Sequence, residues 1–109
     1  MIELFIKLII GHVFGDYALQ NDFLAKAKNH RQAFEGIPWQ IPMAAHCIIH
    51  AALVWYITQS KICAVAEFIA HFVLDFSKCA GIISFVQDQL MHLTIKLVLV
   101  LFLIGLAVL

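Results

Sequence analysis

The sequence predicts an all-α polytopic membrane protein, an up-down bundle of four transmembrane helices with a short interfacial segment between the first two. Three observations predict it. Hydrophobic residues make up 63% of the 109 residues, and charged residues only 13%. Soluble domains average about 45–50% apolar and about 25% charged, so this chain has too few polar groups to cover a water-facing surface. The apolar residues gather into four stretches separated by polar, Gly- or Pro-bearing breaks, at about residues 2–20, 43–59, 62–78 and 83–109. Each stretch is near the length of about 20 residues that a membrane span requires. Each also carries one pair of His or Asp side chains four residues apart: His12/Asp16, His46/His50, His71/Asp75 and Asp88/His92.

The first stretch opens on Met1-Ile2-Glu3, without a basic leader, and no small-x-small cleavage site follows it, so it reads as a retained span and not a signal peptide. Gly11 and Gly15 flank its His12/Asp16 pair and either allow a close helix approach or loosen the helix there. Residues 21–42 break the hydrophobicity. Asn21-Asp22 is a capping sequence for a short helix, in which Phe23, Leu24 and Ala27 alternate with Lys26 and Lys28. An interfacial amphipathic piece and a solvated loop both fit this segment. Gly36, Pro38 and Pro42 end it, and Trp39 is placed as an interfacial anchor. His30, in the basic part of the loop, reads as a surface residue.

The second stretch has its pair in its first half and Trp55-Tyr56 at the opposite interface. A turn at Ser60-Lys61 leads to the third, Glu67-Phe-Ile-Ala-His71-Phe-Val-Leu-Asp75-Phe-Ser-Lys78, whose polar residues recur every fourth position and so share one helical face. Gly81 marks the next turn. The fourth stretch has its pair early, Lys96 one turn further on and a purely apolar run from Leu97. Lys96 falls on the same stripe as Asp88 and His92, within reach of Asp88 or Glu67.

In an up-down bundle the pairs, late in spans one and three and early in spans two and four, all lie toward one end. Random placement of the His and Asp residues gives about 0.9 pairs at spacing four, the helix-face period, against the four present. Charged groups within a span cost roughly 2.5 kcal/mol or more each, so a chain that keeps them uses them.

Spacing four lets two side chains of one helix ligate one metal. The candidate ligands are His12, Asp16, His46, His50, His71, Asp75, Asp88 and His92. An imidazole-rich set with carboxylates suits a divalent transition metal such as Zn, Mn or Fe. Glu67, on the same stripe, is the candidate general base of a metal-dependent reaction. Two other readings stay open: a structural polar network between helices, and a proton or divalent-ion pathway. Cys47, Cys63 and Cys79 form no C-x-x-C pair and read as free thiols.

A formal net charge of zero gives no footprint for nucleic acid. The expected partner is membrane lipid, and four spans leave room for a homodimer that closes the site. Lys26, Lys28, Arg31 and Lys78 lie on the site side, which places that end in the cytoplasm by the positive-inside rule. With a metal present, hydrolysis of a lipid-like substrate is the expected chemistry, with the basic loop 26–31 holding a phosphate headgroup.

The runs Gly11-His12-Val-Phe-Gly-Asp16-Tyr-Ala-Leu-Gln20-Asn-Asp22, His46 with His50, His71-Phe-Val-Leu-Asp75-Phe-Ser-Lys78 and Asp88-Gln89-x-x-His92 resemble an uncharacterised family of small bacterial and phage membrane proteins, catalogued as domain of unknown function 3307. The resemblance covers almost the whole chain. It implies a polytopic membrane protein, borne by a phage or prophage, and no established activity; the expected location is the bacterial inner membrane. A weaker likeness to membrane-bound metal-dependent hydrolases lacks their His-Arg-x-x-His opening.

Overall fold

In a computed structural model, which describes residues 1–32 and 34–109, the chain is all-α. Five α-helices follow in order: α1 (Ile2–Val13), α2 (Asp22–Ala27), α3 (Gln40–Thr58), α4 (Lys61–Cys79) and α5 (Phe85–Val108), with a π-helical turn at Phe14–Ala18 continuing α1. The long helices form a cycle in which α1 packs on α3, α3 on α4, α4 on α5 and α5 back on α1. The molecule is elongated, 50 × 23 × 22 Å.

The ends of the helices follow from local chemistry. Asn21 caps α2 by accepting from the Leu24 amide at 2.7 Å. Gln59, in the left-handed region at φ 57°, stops α3, and the Ser60 hydroxyl caps α4 one residue later. This two-residue turn sets α3 and α4 antiparallel. Helix α4 ends in a Schellman motif, with Ile82 N–H on Ser77 O at 2.9 Å and Gly81 N–H on Lys78 O at 3.0 Å. Gly81 supplies the positive φ of 79° that this motif needs. Ser84 and Gln87 then form a reciprocal capping box at the start of α5.

Both glycines of the first stretch act as close-approach points. A Cβ on Gly11 would lie 2.9 Å from Ile57 Cδ1, and one on Gly15 would lie 2.6 Å from His50 Cε1. The helix also widens here into its π turn, so the helical register shifts where α1 meets the polar pair.

Helix α2 is short, and the loop after it docks on α4: His30 stacks on Phe76 at 4.2 Å, Trp39 packs on Phe72 and Phe76, and Arg31 donates to Ala80 O at 3.0 Å. His30 is therefore half-buried against an aromatic face.

Among the described residues, only α3 and α5 are long and apolar enough to cross a membrane. Helix α4 has the length but carries Lys61, Glu67, Asp75 and Lys78, and α1 with its π turn is short. The distribution of polarity is nonetheless inverted. Ile6, Ile10, Ile48, Val65, Ile69, Val73, Leu97 and Leu101 are exposed, while His46, Glu67, His71, Asp75 and Asp88 are fully buried. Away from the polar end, Leu8, Val54, Cys63, Leu99 and Val100 form an apolar core.

Candidate metal centre

All eight residues of the spacing-four pairs converge. Each is at most 8% exposed, and together they fill the space between α1 with its π turn, α3, α4 and α5. Asp16 is the hub on one side. Its Oδ1 lies 2.8 Å from His50 Nε2, 3.2 Å from His46 Nε2 and 3.6 Å from His71 Nε2. Its Oδ2 lies 3.3 Å from His12 Nε2. On the other side His92 Nε2 lies 3.1 Å from Asp88 Oδ1 and 3.6 Å from Asp75 Oδ1. Asp75 joins the two sides, because its Oδ2 lies 3.3 Å from His46 Nε2 and 3.7 Å from His71 Nε2. The rings crowd together, with His50 and His71 stacked 3.7 Å apart and the other pairs tilted or edge-on.

Closeness here is not the same as hydrogen bonding. Asp16 Oδ1, His50 Nε2, Asp75 Oδ1, Asp88 Oδ1 and His92 Nε2 are buried yet have no hydrogen-bond partner among the described residues. Leaving a buried polar atom unpaired costs about 1–3 kcal/mol. Three groups of donors, Asp16/His46/His50/His71, His12/His71/His92 and Asp75/Asp88/His92, each have their atoms within 4.8 Å of one another. Two donors bound at the usual 2.0–2.1 Å to a single ion stand roughly 2.9–3.4 Å apart, which is the spacing seen across much of the cluster.

Glu67 stands behind this cluster. Its Oε1 accepts from His71 Nδ1 at 3.3 Å and from Lys96 Nζ at 2.5 Å. With Nδ1 protonated toward Glu67, His71 turns the lone pair of Nε2 toward the cluster, facing His46 Nε2 at 3.0 Å. This is how a carboxylate orients a ligating imidazole. It differs from the general-base role expected of Glu67, because an imidazole ring separates its carboxylate from the converging donors. Of the two partners open to Lys96, Glu67 is the one it takes.

Three further residues belong to the site. Lys28, 3% exposed, reaches across from the end of α2 and donates to Asp75 Oδ2 at 2.6 Å. It is thus engaged inside the protein, which corrects the expectation that it serves a headgroup-binding loop. Lys78 lies 3.7 Å from Asp75 Oδ1 and 3.5 Å from Asp88 Oδ2. Gln89 closes the gap between α5 and the π turn, with its Nε2 donating to Asp16 Oδ2 and Asp88 Oδ2 at 3.1 Å and its Oε1 accepting from the Tyr17 hydroxyl at 3.2 Å. Spacing on α4 and α5 gave a signal for Lys78 and Lys96. Nothing in the sequence signals Lys28, which meets its partner 47 residues away.

A family model matches residues 4–108, nearly the whole chain. The chain belongs to the family described as protein of unknown function DUF3307. No curated protein and no solved structure matches it. The resemblance read from the His/Asp runs is thereby shown, and the DUF3307 chain places the paired His and Asp residues of those runs in the buried cluster.

The cluster constrains Gly15 directly. A methyl group there would sit 2.7 Å from His50 Nε2, and His71 stacked on the far face blocks the ring from retreating. Gly15→Ala is expected to lower metal affinity about 10–100-fold, the size of effect that misorienting a ligand produces, with the helical fold retained. Titration of a chelator-treated sample with Zn²⁺, beside circular dichroism, checks this.

Proposed function

We propose that this DUF3307 protein is a four-span membrane protein that holds a divalent transition metal in its buried His/Asp cluster and uses it to hydrolyse a lipid-like substrate. The observation that carries the metal is the set of five orphaned donor atoms, on Asp16, His50, Asp75, Asp88 and His92, aimed into one space. A dry network would hydrogen-bond these atoms to one another; Asp16 Oδ1 with His50 Nε2 at 2.8 Å and Asp88 Oδ1 with His92 Nε2 at 3.1 Å are in contact without hydrogen-bond geometry. Charge agrees. The carboxylates of Asp16, Glu67, Asp75 and Asp88 face the ammonium groups of Lys28, Lys78 and Lys96, one fewer in number. The cluster is thus left with an excess of negative charge, which favours a bound cation.

The membrane placement rests on the apolar exterior and polar interior of the bundle. With α4 and α1 spanning beside α3 and α5, their mid-span His12, Glu67, His71 and Asp75 face the interior, and their exposed charges, Glu3, Lys7 and Lys61, lie toward the helix ends. A bacterial inner membrane, with the basic site end in the cytoplasm, fits the positions of Lys26, Lys28, Arg31 and Lys78. A bound ion of this kind lowers the pKa of a water it holds and so supplies a nucleophile at neutral pH. Glu67 sets the His71 ring, and Gln89 with Tyr17 forms the thin polar wall between the cluster and the outside. A substrate whose reacting bond lies at headgroup depth would reach the cluster there, with its chains in the bilayer. The alternative, a proton or ion pathway, draws support from Glu67 and Lys96, which carry polarity past the cluster. The apolar core of Leu8, Val54, Leu99 and Val100 offers no continuation toward the other end.

The deciding measurement is metal content by mass spectrometry on detergent-purified protein, beside a His71→Ala, Asp75→Ala double variant. Near-stoichiometric transition metal in the native chain, absent from the variant, is the expected result. A native chain that carries no metal and takes up none after chelation and Zn²⁺ addition overturns the reading, whatever the variant does. For the reaction, Asp75→Asn is expected to abolish metal-dependent release of product from lipid substrates in the same preparation.

A further inference from the structure

We infer that the cluster is built for two ions, bridged by Asp75. The inference rests on the metal reading above and deepens it. Eight donor side chains converge, and a single first-row transition ion takes four to six ligands at most. Geometry divides the donors into two sets. Asp16 Oδ1 gathers His46, His50 and His71 within 3.6 Å. This is a nearly complete tetrahedral shell of one carboxylate and three imidazoles. Asp88 Oδ1 and Asp75 Oδ1 flank His92 Nε2 at 3.1 and 3.6 Å. These three come from α4 and α5 and share no donor atom with the first set.

Among the described residues, Asp75 is the one carboxylate with contacts to both sets. Its Oδ2 faces His46 and His71 of the first, and its Oδ1 faces His92 of the second. A carboxylate used in this way holds two ions about 3.5–4 Å apart, the separation common to two-metal hydrolytic sites. Lys28 takes one of the two lone pairs on Oδ2 and leaves the other for the first ion, though it draws on the same electron density. The second set is short of partners in its own right: Asp75 Oδ1, Asp88 Oδ1 and His92 Nε2 are buried with no hydrogen bond among the described residues, and Lys78 Nζ comes no nearer than 3.5 Å to either carboxylate. His12 lies between the sets, its ring 5.0 Å from that of His92 and 5.4 Å from that of His50, where it completes either shell.

The test is stoichiometry and magnetism on the full chain in detergent, stripped with chelator and reloaded with Mn²⁺. Two ions per chain and an exchange-coupled electron paramagnetic resonance spectrum are expected. The double variant Asp88→Asn, His92→Gln is expected to retain one ion, with an uncoupled spectrum. One ion in the native chain, or two with uncoupled spectra, overturns the bridged pair while leaving a mononuclear centre standing. No ion at all overturns the metal reading itself. If the variant does not fold, the native spectrum alone decides.

Discussion

Lys96→Met is expected to cost about 3–5 kcal/mol of stability, as removal of one partner from a buried ion pair does. Glu67 is fully buried, Lys96 is 1% exposed, and they meet at 2.5 Å at the border between the His/Asp cluster and the apolar core. With the ammonium gone, the carboxylate keeps only the His71 Nδ1–H and must either stay charged in an apolar setting or take up a proton. Glu67→Gln strands the lysine in the same way. The double variant Glu67→Gln, Lys96→Met removes both charges at similar volume, so much of the loss should return. Urea unfolding in detergent of the two single variants and the double variant measures the coupling. Additive losses, or singles within about 1 kcal/mol of the native chain, would contradict a buried pair of this strength. Metal binding separates the two partners further. Glu67→Gln weakens the hold on His71 and should lower affinity about 10–100-fold in its own right.

Much of this arrangement is written in short-range sequence signals, and the part that is not has a physical reason. Periodicity found the pairs because the i, i+4 relation is local: it holds on any helix, whatever the helix packs against. The breaks at Ser60 and Gly81 were legible because capping and left-handed turns are local too. The ends expected at about 62–78 and 83–109 fall within two residues of α4 (Lys61–Cys79) and α5 (Phe85–Val108). The π turn at Phe14–Ala18 was harder. Gly11 and Gly15 marked the place, but which of their two roles applied depended on Ile57 and His50, residues of another helix. Lys28 was illegible for the same reason. In sequence it is one cation of a basic loop; only the docking of that loop on α4, through His30 on Phe76 and Arg31 on Ala80, brings it to Asp75. Gln89 is neutral and carries no periodic signal of its own beside Asp88. Hydropathy also had a blind side. The stripe of charges that makes α4 important is what takes it below the hydropathy of an ordinary span, so composition ranks the central helix of the cluster behind α3 and α5.

Lys28 supplies the prediction that most sharply separates a metal centre from a structural network. Its ammonium, 2.6 Å from Asp75 Oδ2, is a cation already placed on a candidate ligand. If the cluster is a network, Lys28 is simply part of it. Lys28→Met then removes a buried ion-pair partner and costs about 3–5 kcal/mol under all conditions, with or without metal. If the cluster is a metal centre, Lys28 competes with the ion for the electron density of Asp75, and the variant has two opposite effects. Chelated protein loses stability, because Asp75 is left with Lys78 at 3.7 Å and the nearby imidazoles. Metal-loaded protein regains it, because the ion now binds a more negative site, with affinity raised at least about tenfold, or roughly 1.4 kcal/mol. At a free Zn²⁺ concentration 100 times Kd, binding alone adds about 2.7 kcal/mol, which is readable as a rise in Tm. The measurement is a pair of thermal melts in detergent, in chelator and in buffered Zn²⁺, for the native chain and for Lys28→Met. A larger zinc-dependent rise in the variant than in the native chain identifies Asp75 as a ligand that Lys28 restrains. An equal fall in both buffers places Lys28 and Asp75 in a network that has no use for a metal.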